Sequence, residues 1–150
     1  MYNICQRMMG NREEAEDVLQ NAFVQVFTKI DSYRGDSTLG AWIKRVVINS
    51  CLNELKRRKV HFEEAGDDLA EMADMEYEHD FDHEDIARIK QAIQALPAGY
   101  KTVFNLYLLE GYDHSEISEI LGISEGASKS QYSRARQKLH QMLTPKSKTG

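Results

Sequence analysis

Two groups of residues in this chain have the chemistry to read a polymer, and none has the chemistry to cleave one. Arg45, Asn49 and Asn53 recur at intervals of four, and Lys56 or Arg57 continues the row. On a helix that spacing makes one rail. Asn amides and Arg guanidinium groups on one rail can hydrogen-bond base edges and backbone, whereas a merely solvated helix would more often carry Glu–Lys pairs. The second group lies in "HSEISEILGISEGASKSQYSRARQKL", which sets Gly126, Ala127, Ser130, Ser133, Arg134 and Gln137 on one side, flanked by Lys129 and Arg136. Small side chains let a backbone approach a duplex, and cations behind them hold phosphates. No nucleophile stands with a base and an acid, so catalysis is not expected. His79 and His83 have a spacing that can ligate a metal on a helix, but no third soft ligand is near them. Neither a metal nor a cofactor is expected.

The first rail needs a helix from Ser37 or Thr38 to about Lys59, with Trp42, Ile43, Val46, Val47, Cys51 and Leu55 as its apolar face. The loop before it, "DSYRGDST", carries Gly35 and Asp36 as breakers. Its hydroxyls could shape a pocket for an unstacked base, with Tyr33 and Trp42 as stacking rings. For Trp42 the favoured reading is a core residue. Upstream, Ala15, Val18, Leu19, Ala22, Phe23, Val26, Phe27 and Ile30 fall in steps of three and four, a continuous helical face. Asn11 before "REEAED" is a plausible N-cap, with acids in the first turn favoured by the helix dipole. Residues 1–9 look like the tail of a further helix.

The second group needs a short helix, a tight turn and a capped second helix, which together make a helix-turn-helix. Ile117, Ile120 and Leu121 face a core, Gly122 permits a left-handed turn, Ile123 plugs the gap, and Ser124 can cap the second helix. Ser128, Tyr132, Ala135, Leu139 and Met142 then form the packing face of that helix. "IARIKQAIQAL" and "GYKTVFNLYLLEG" give two preceding helices. A plain helical hairpin with a solvated basic face is the competing reading. The turn chemistry and the lack of acids after Glu125 favour DNA.

Charge is arranged in blocks along the 150 residues. The net value of −5 divides into +3 for residues 1–59, −12 for residues 60–86 and +4 for residues 87–150. Two blocks with basic surfaces are joined by an acidic connector, so the overall acidity does not argue against nucleic acid. The connector cannot bury enough apolar surface to offset its ordering entropy. Cys5 and Cys51 are separated and form no CxxC pair, so a reduced cytoplasm is the expected compartment. No apolar run approaches the roughly 20 residues of a membrane span. No signal-peptide pattern opens the chain.

In this order and spacing the motifs resemble the extracytoplasmic-function (ECF) sigma factors of bacteria. "REEAEDVLQNAFVQVF" resembles the helix of region 2.2, "YRGDSTLGAWIKRVVINSCLNELKRRK" resembles regions 2.3 and 2.4, and "ALPAGYKTVFNLYLLEGYDHSEISEILGISEGASKSQYSRARQKL" resembles region 4. The resemblance implies an all-α protein of two small helical domains. Residues 1–59 would be the region 2 bundle, 60–84 a flexible acidic linker, and 85–150 the region 4 helix-turn-helix. Its implied partners are core RNA polymerase, through the β′ clamp helices and the β flap, promoter DNA, and an anti-sigma factor.

Carried over by position, Asp17 and Gln20, with Glu13, Glu16 and Val24, would meet polymerase. Arg34, Gly35, Asp36, Ser37 and Thr38 would hold a flipped base of the -10 element. Arg45, Asn49 and Asn53, continued by Lys56 and Arg57, would line the single-strand path. Ser124, Ala127, Lys129, Ser130, Ser133, Arg134 and Arg136 would contact the -35 duplex. Three positions depart from the family pattern: Ser128 replaces a β-branched residue, Gln131 an outward-reaching Arg, and Tyr132 a leucine. The family's first helix is largely absent at the start of the chain. That implies a shortened N-terminus, and a region 2 that is less stable or completes its core with another molecule. The acidic linker reads either as a mimic of nucleic acid in polymerase channels or as a solvated spacer. A polymerase-independent helix-turn-helix regulator is the alternative function.

Overall fold

The chain begins with a short helix, α1 (Tyr2–Met9), ended by Gly10 in the left-handed region. Asn11 then caps α2 (Arg12–Lys29), its side-chain oxygen accepting from the Glu14 backbone N–H at 2.9 Å. A single 3₁₀ turn, Ile30–Ser32, leads into the loop before α3 (Leu39–Arg57). Thr38 caps α3, accepting from the Ala41 N–H at 3.2 Å. The three helices pack pairwise into one bundle. The computed structural model describes residues 1–58 and 83–144, in two units, Met1–His61 and Phe62–Gly150. The expected linker therefore lies outside the described residues up to position 82, as does His79.

The core of the first unit is built from Ile4, Cys5, Met8 and Met9 of α1, Ala15, Val18, Ala22 and Val26 of α2, and Val46 to Ile48, Cys51, Leu52 and Leu55 of α3. Ala15 and Ala22 are fully buried, and their small side chains let the α2 backbone come close to its neighbours. The apolar face expected on α2 is therefore narrower than its sequence period. Phe23, Phe27 and Ile30 stay 40%, 77% and 42% exposed, because they lie on the flank of the Ala–Val row. On α3 the buried face is wider than expected and takes in Ile48 and Leu52.

The second unit contains α4 (His83–Gln94), α5 (Ala98–Phe104), α6 (His114–Leu121) and α7 (Glu125–Leu143). A π-helical stretch, Asn105–Leu109, continues α5. Helix α7 is the hub, packing against α4, α5 and α6. Ala92, Leu96, Phe104, Ala135 and Leu139 form one cluster, joined by Ile93, Tyr100, Tyr132 and Leu143. Val103, Leu106, Ile117, Ile120, Leu121 and Ile123 fill the interior nearer the turn. Every described element is helical, in agreement with the all-α expectation.

Candidate nucleic-acid interface

The turn between α6 and α7 fixes the second recognition surface. Asp113 and Glu116 make a reciprocal capping box at the start of α6, with bonds of 2.8 and 3.1 Å. At the other end Gly122 has φ 68°, a conformation that a side chain with Cβ adopts only under strain. The Ser118 hydroxyl donates to the Ile123 carbonyl at 2.5 Å, and buried Ile123 fills the angle between the helices. Ser124 caps α7, accepting from the Ala127 N–H at 3.0 Å.

Ser128 is fully buried, and its hydroxyl lies 2.8 Å from Nδ1 of His114. The serine that replaces a β-branched residue on the packing face is thus a polar tie between the two helices of the motif. Tyr132 stacks near Phe104, with centroids 5.9 Å apart, and tilts against Tyr107 at 4.4 Å. Tyr107 in turn stacks on His114 at 4.4 Å. Aromatic contacts replace the aliphatic packing expected there, and the Arg136 guanidinium sits 5.8 Å from the Tyr132 centroid. The sequence carried no periodic signal for the Tyr107–His114 half of this cluster.

On α7 the structure departs from the sequence pattern at Ser130, Gln131 and Met142. Ser130 is only 6% exposed, although the helical period places it opposite the packing face. The period of one helix shows which side a residue is on, not what packs against that side, so burial there is a tertiary property. Gln131 is 2% exposed, with its Oε1 unpaired, so it cannot stand in for a phosphate-reaching Arg. Conversely Met142, expected in the packing face, is exposed. The remaining candidates stay at the surface: Ser124 and Lys129 are exposed, and Ala127, Ser133, Arg134 and Arg136 are half-buried. Lys129 pairs with Glu125 at 3.8 Å, an exposed i,i+4 contact of small energetic value.

Burial lowers the His114 pKa from its ordinary 6.5, and Lys129 adds to the effect while Glu125 and Asp113 oppose it. A depressed folded-state pKa means that the unfolded chain binds the proton more readily. The neutral ring thus contributes stability above about pH 6.5, and that contribution is lost as pH falls through the lower folded-state value. The unfolding midpoint of the second unit is expected to fall between pH 7 and pH 5, and a His114→Asn variant should flatten the slope. Thermal unfolding followed by circular dichroism across that range checks both.

In the first unit the rail is continuous. Arg45 is half-buried, while Asn49, Asn53, Lys56 and Arg57 are exposed on α3. Arg57 pairs with Glu54 at 2.8 Å. Arg58 reaches Glu14 at 2.5 Å, joining the end of α3 to the start of α2. Arg34, Gly35, Asp36, Ser37 and Thr38 are all exposed in the loop. The Tyr33 hydroxyl donates to the Ser37 carbonyl, and its ring packs 5.6 Å from that of Trp42, which is only half-buried. Trp42 is thus a partner of the loop and not a fully enclosed core residue. Glu13, Glu16, Asp17, Gln20 and Val24 all lie exposed on the side of α2 away from its buried row. Glu16 is bonded to Arg12 at 3.0 Å.

No group of three or more metal-ligating side chains occurs among the described residues. The first unit presents a polar rail beside a hydroxyl-lined loop, and the second is a helix-turn-helix with cations on its second helix, a helical architecture suited to nucleic acid. Comparison with known proteins makes this specific. Residues 1–60 match the family model for Sigma-70 region 2, and residues 86–139 match that for Sigma-70 region 4. The chain is 30% identical to the ECF RNA polymerase sigma factor SigM of Mycobacterium tuberculosis over 143 residues, covering 95% of this chain and 71% of that protein. It is also 30% identical to SigW of Bacillus subtilis, covering 95% of this chain and 82% of that one.

The chain belongs to the ECF RNA polymerase sigma factors. It therefore acts in promoter-specific transcription initiation with RNA polymerase, in a family of non-catalytic initiation factors. The fold is shared with the sigma factor RpoE of Bartonella quintana, whose structure was determined with the anti-sigma factor NepR. The TM-score is 0.65 at 23% identity, covering 95% of this chain and 88% of that one.

Proposed function

We propose that residues 1–59 act as region 2, residues 60–84 as the connector, and residues 85–150 as region 4 of an initiation factor that works in the cytoplasm. The exposed side of α2, with Asp17 and Gln20 at its centre, docks on the β′ clamp helices of core polymerase, and the second unit meets the β flap. The loop Arg34–Thr38 takes up a base flipped from the -10 element. Flipping costs a few kcal/mol, which stacking on the Tyr33–Trp42 side and hydrogen bonds from the loop return. Arg45, Asn49 and Asn53 then hold the unpaired strand, with Lys56 and Arg57 on its phosphates.

In the second unit Lys129, Ser133, Arg134 and Arg136, with the N-terminal residues Ser124 and Ala127, contact the -35 duplex. Phosphate contacts from these cations position the helix, and affinity should fall steeply with salt. Protein groups here bind and orient DNA and move no covalent bond. The ordered pair of surfaces, a rail beside a polar loop and then a capped helix-turn-helix, carries this reading. An anti-sigma protein is the proposed regulatory partner; it would cover the same apolar and basic surfaces, including exposed Phe23 and Phe27 on α2.

Run-off transcription with reconstituted holoenzyme on a promoter library tests the assignment. Selective initiation from promoters that share -10 and -35 elements is expected. Specific duplex binding by the chain alone, with no initiation from any promoter, would replace it with a polymerase-independent regulator.

A further inference from the structure

Cys5 and Cys51 meet inside the first unit, although 46 positions separate them in sequence. Their sulfurs lie 3.8 Å apart, one on α1 and one on α3, and both residues are fully buried. Both are free thiols, and neither belongs to the surfaces described above. The Cys51 S–H donates to the Cys5 sulfur, which lowers the Cys5 pKa; the same bond, together with burial, pushes Cys51 up. The contact therefore makes Cys5 the easier of the two to ionise, while Cys51 keeps its proton.

We propose that this pair is a redox staple, which closes to a disulfide in the presence of peroxide and ties α1 to the promoter-facing helix α3. The Cys5 thiolate attacks one peroxide oxygen. The O–O bond breaks, and Cys5 becomes a sulfenic acid as the other oxygen leaves and takes a proton to form water. Cys51 then attacks the sulfenic sulfur, the S–O bond breaks, and the departing hydroxide takes up the Cys51 proton. In sum, two thiols and one hydrogen peroxide give one disulfide and two waters; the sulfurs are oxidised and the peroxide is reduced.

Access comes from α1, a helix of eight residues that is short enough to open locally. On reclosing, the sulfenic sulfur returns to a site where only Cys51 can reach it, ahead of further oxidation. Cys51 lies between Asn49 and Asn53 in sequence, so the bond would anchor α1 beneath the turn that carries the rail. The staple requires no promoter or polymerase, and its chemistry stands apart from the transcription assignment.

The test treats the reduced full chain with a modest excess of hydrogen peroxide, alkylates what remains and maps peptides without reductant. The expected product is an intramolecular Cys5–Cys51 crosslink, two hydrogens lighter and reversed by dithiothreitol. Its unfolding midpoint should lie about 10–30 °C above that of the reduced chain. Denaturant exposes both thiols but separates them, so it should lower the crosslinked share of the product in favour of sulfinic acid on Cys5. A Cys51→Ala variant should show neither the crosslink nor the shift, carrying instead sulfinic acid on Cys5. Recovery of both thiols fully alkylated, crosslinks only between chains, or an equal crosslinked share in denaturant would overturn the proposal. The trapping experiment decides on the native chain even if the variant does not fold.

Discussion

An Ile117→Ala variant is expected to lose the folded state of the second unit in a large fraction of molecules. Ile117 is fully buried on α6 at the turn. Truncating a buried isoleucine to alanine costs about 2–5 kcal/mol, through lost transfer energy and the cavity left behind. A helical unit of this size holds only about 3–9 kcal/mol in total. The deletion thus removes much of the stability that fixes α7 in register with α6. Ile117→Val, at about 0.5–1.5 kcal/mol, should leave the unit folded. Urea unfolding followed by the tyrosines of this unit measures the difference. With holoenzyme, Ile117→Ala should abolish discrimination at the -35 element while the first unit keeps its own unfolding transition. Equal unfolding curves for Ile117→Ala and the parent would contradict the packing described here.

Simultaneous Arg45→Ala, Asn49→Ala and Asn53→Ala substitution is expected to separate function from folding. Asn49 and Asn53 are exposed, and Arg45 is half-buried, so the bundle should unfold within a few degrees of the parent midpoint. Each lost base or strand contact is worth about 1–3 kcal/mol, so initiation at a matched promoter should fall by at least about a hundredfold. Loss of the single arginine should also reduce the salt slope of open-complex formation by about 0.7–0.9. A pre-melted bubble would restore only the melting component, because the strand-holding contacts remain absent. Unchanged initiation from the triple variant would remove α3 as the strand-binding surface.

Much of the fold was legible because local signals agreed with one another. Asn11 and Ser124 accept the bonds expected of caps, and Thr38 stands at an expected helix start. Gly122 stands where the left-handed turn is needed. The rail on α3 was legible because exposed polar residues at intervals of four carry their own period. What escaped is tertiary. Period alone could not reveal that Ala15 and Ala22 draw α2 in closely and leave Phe23 and Phe27 outside. It also could not place Ser130 and Gln131, whose burial depends on the surroundings of α7 and not on its own period. Cys5 and Cys51 looked unrelated because only the packing of α1 on α3 joins them. The His114–Ser128 tie is of the same kind, a contact across the turn with no local signature.

The central claim is that both units work together on one promoter while held by polymerase. Co-elution of the chain with purified core RNA polymerase on size exclusion, followed by footprinting of the complex on a matched promoter, tests it most directly. Stoichiometric co-elution is expected, with protection at the upstream element and permanganate-reactive thymines at the -10 element. A chain that elutes apart from the core enzyme, or a complex that leaves both elements unprotected and unmelted, would contradict the account.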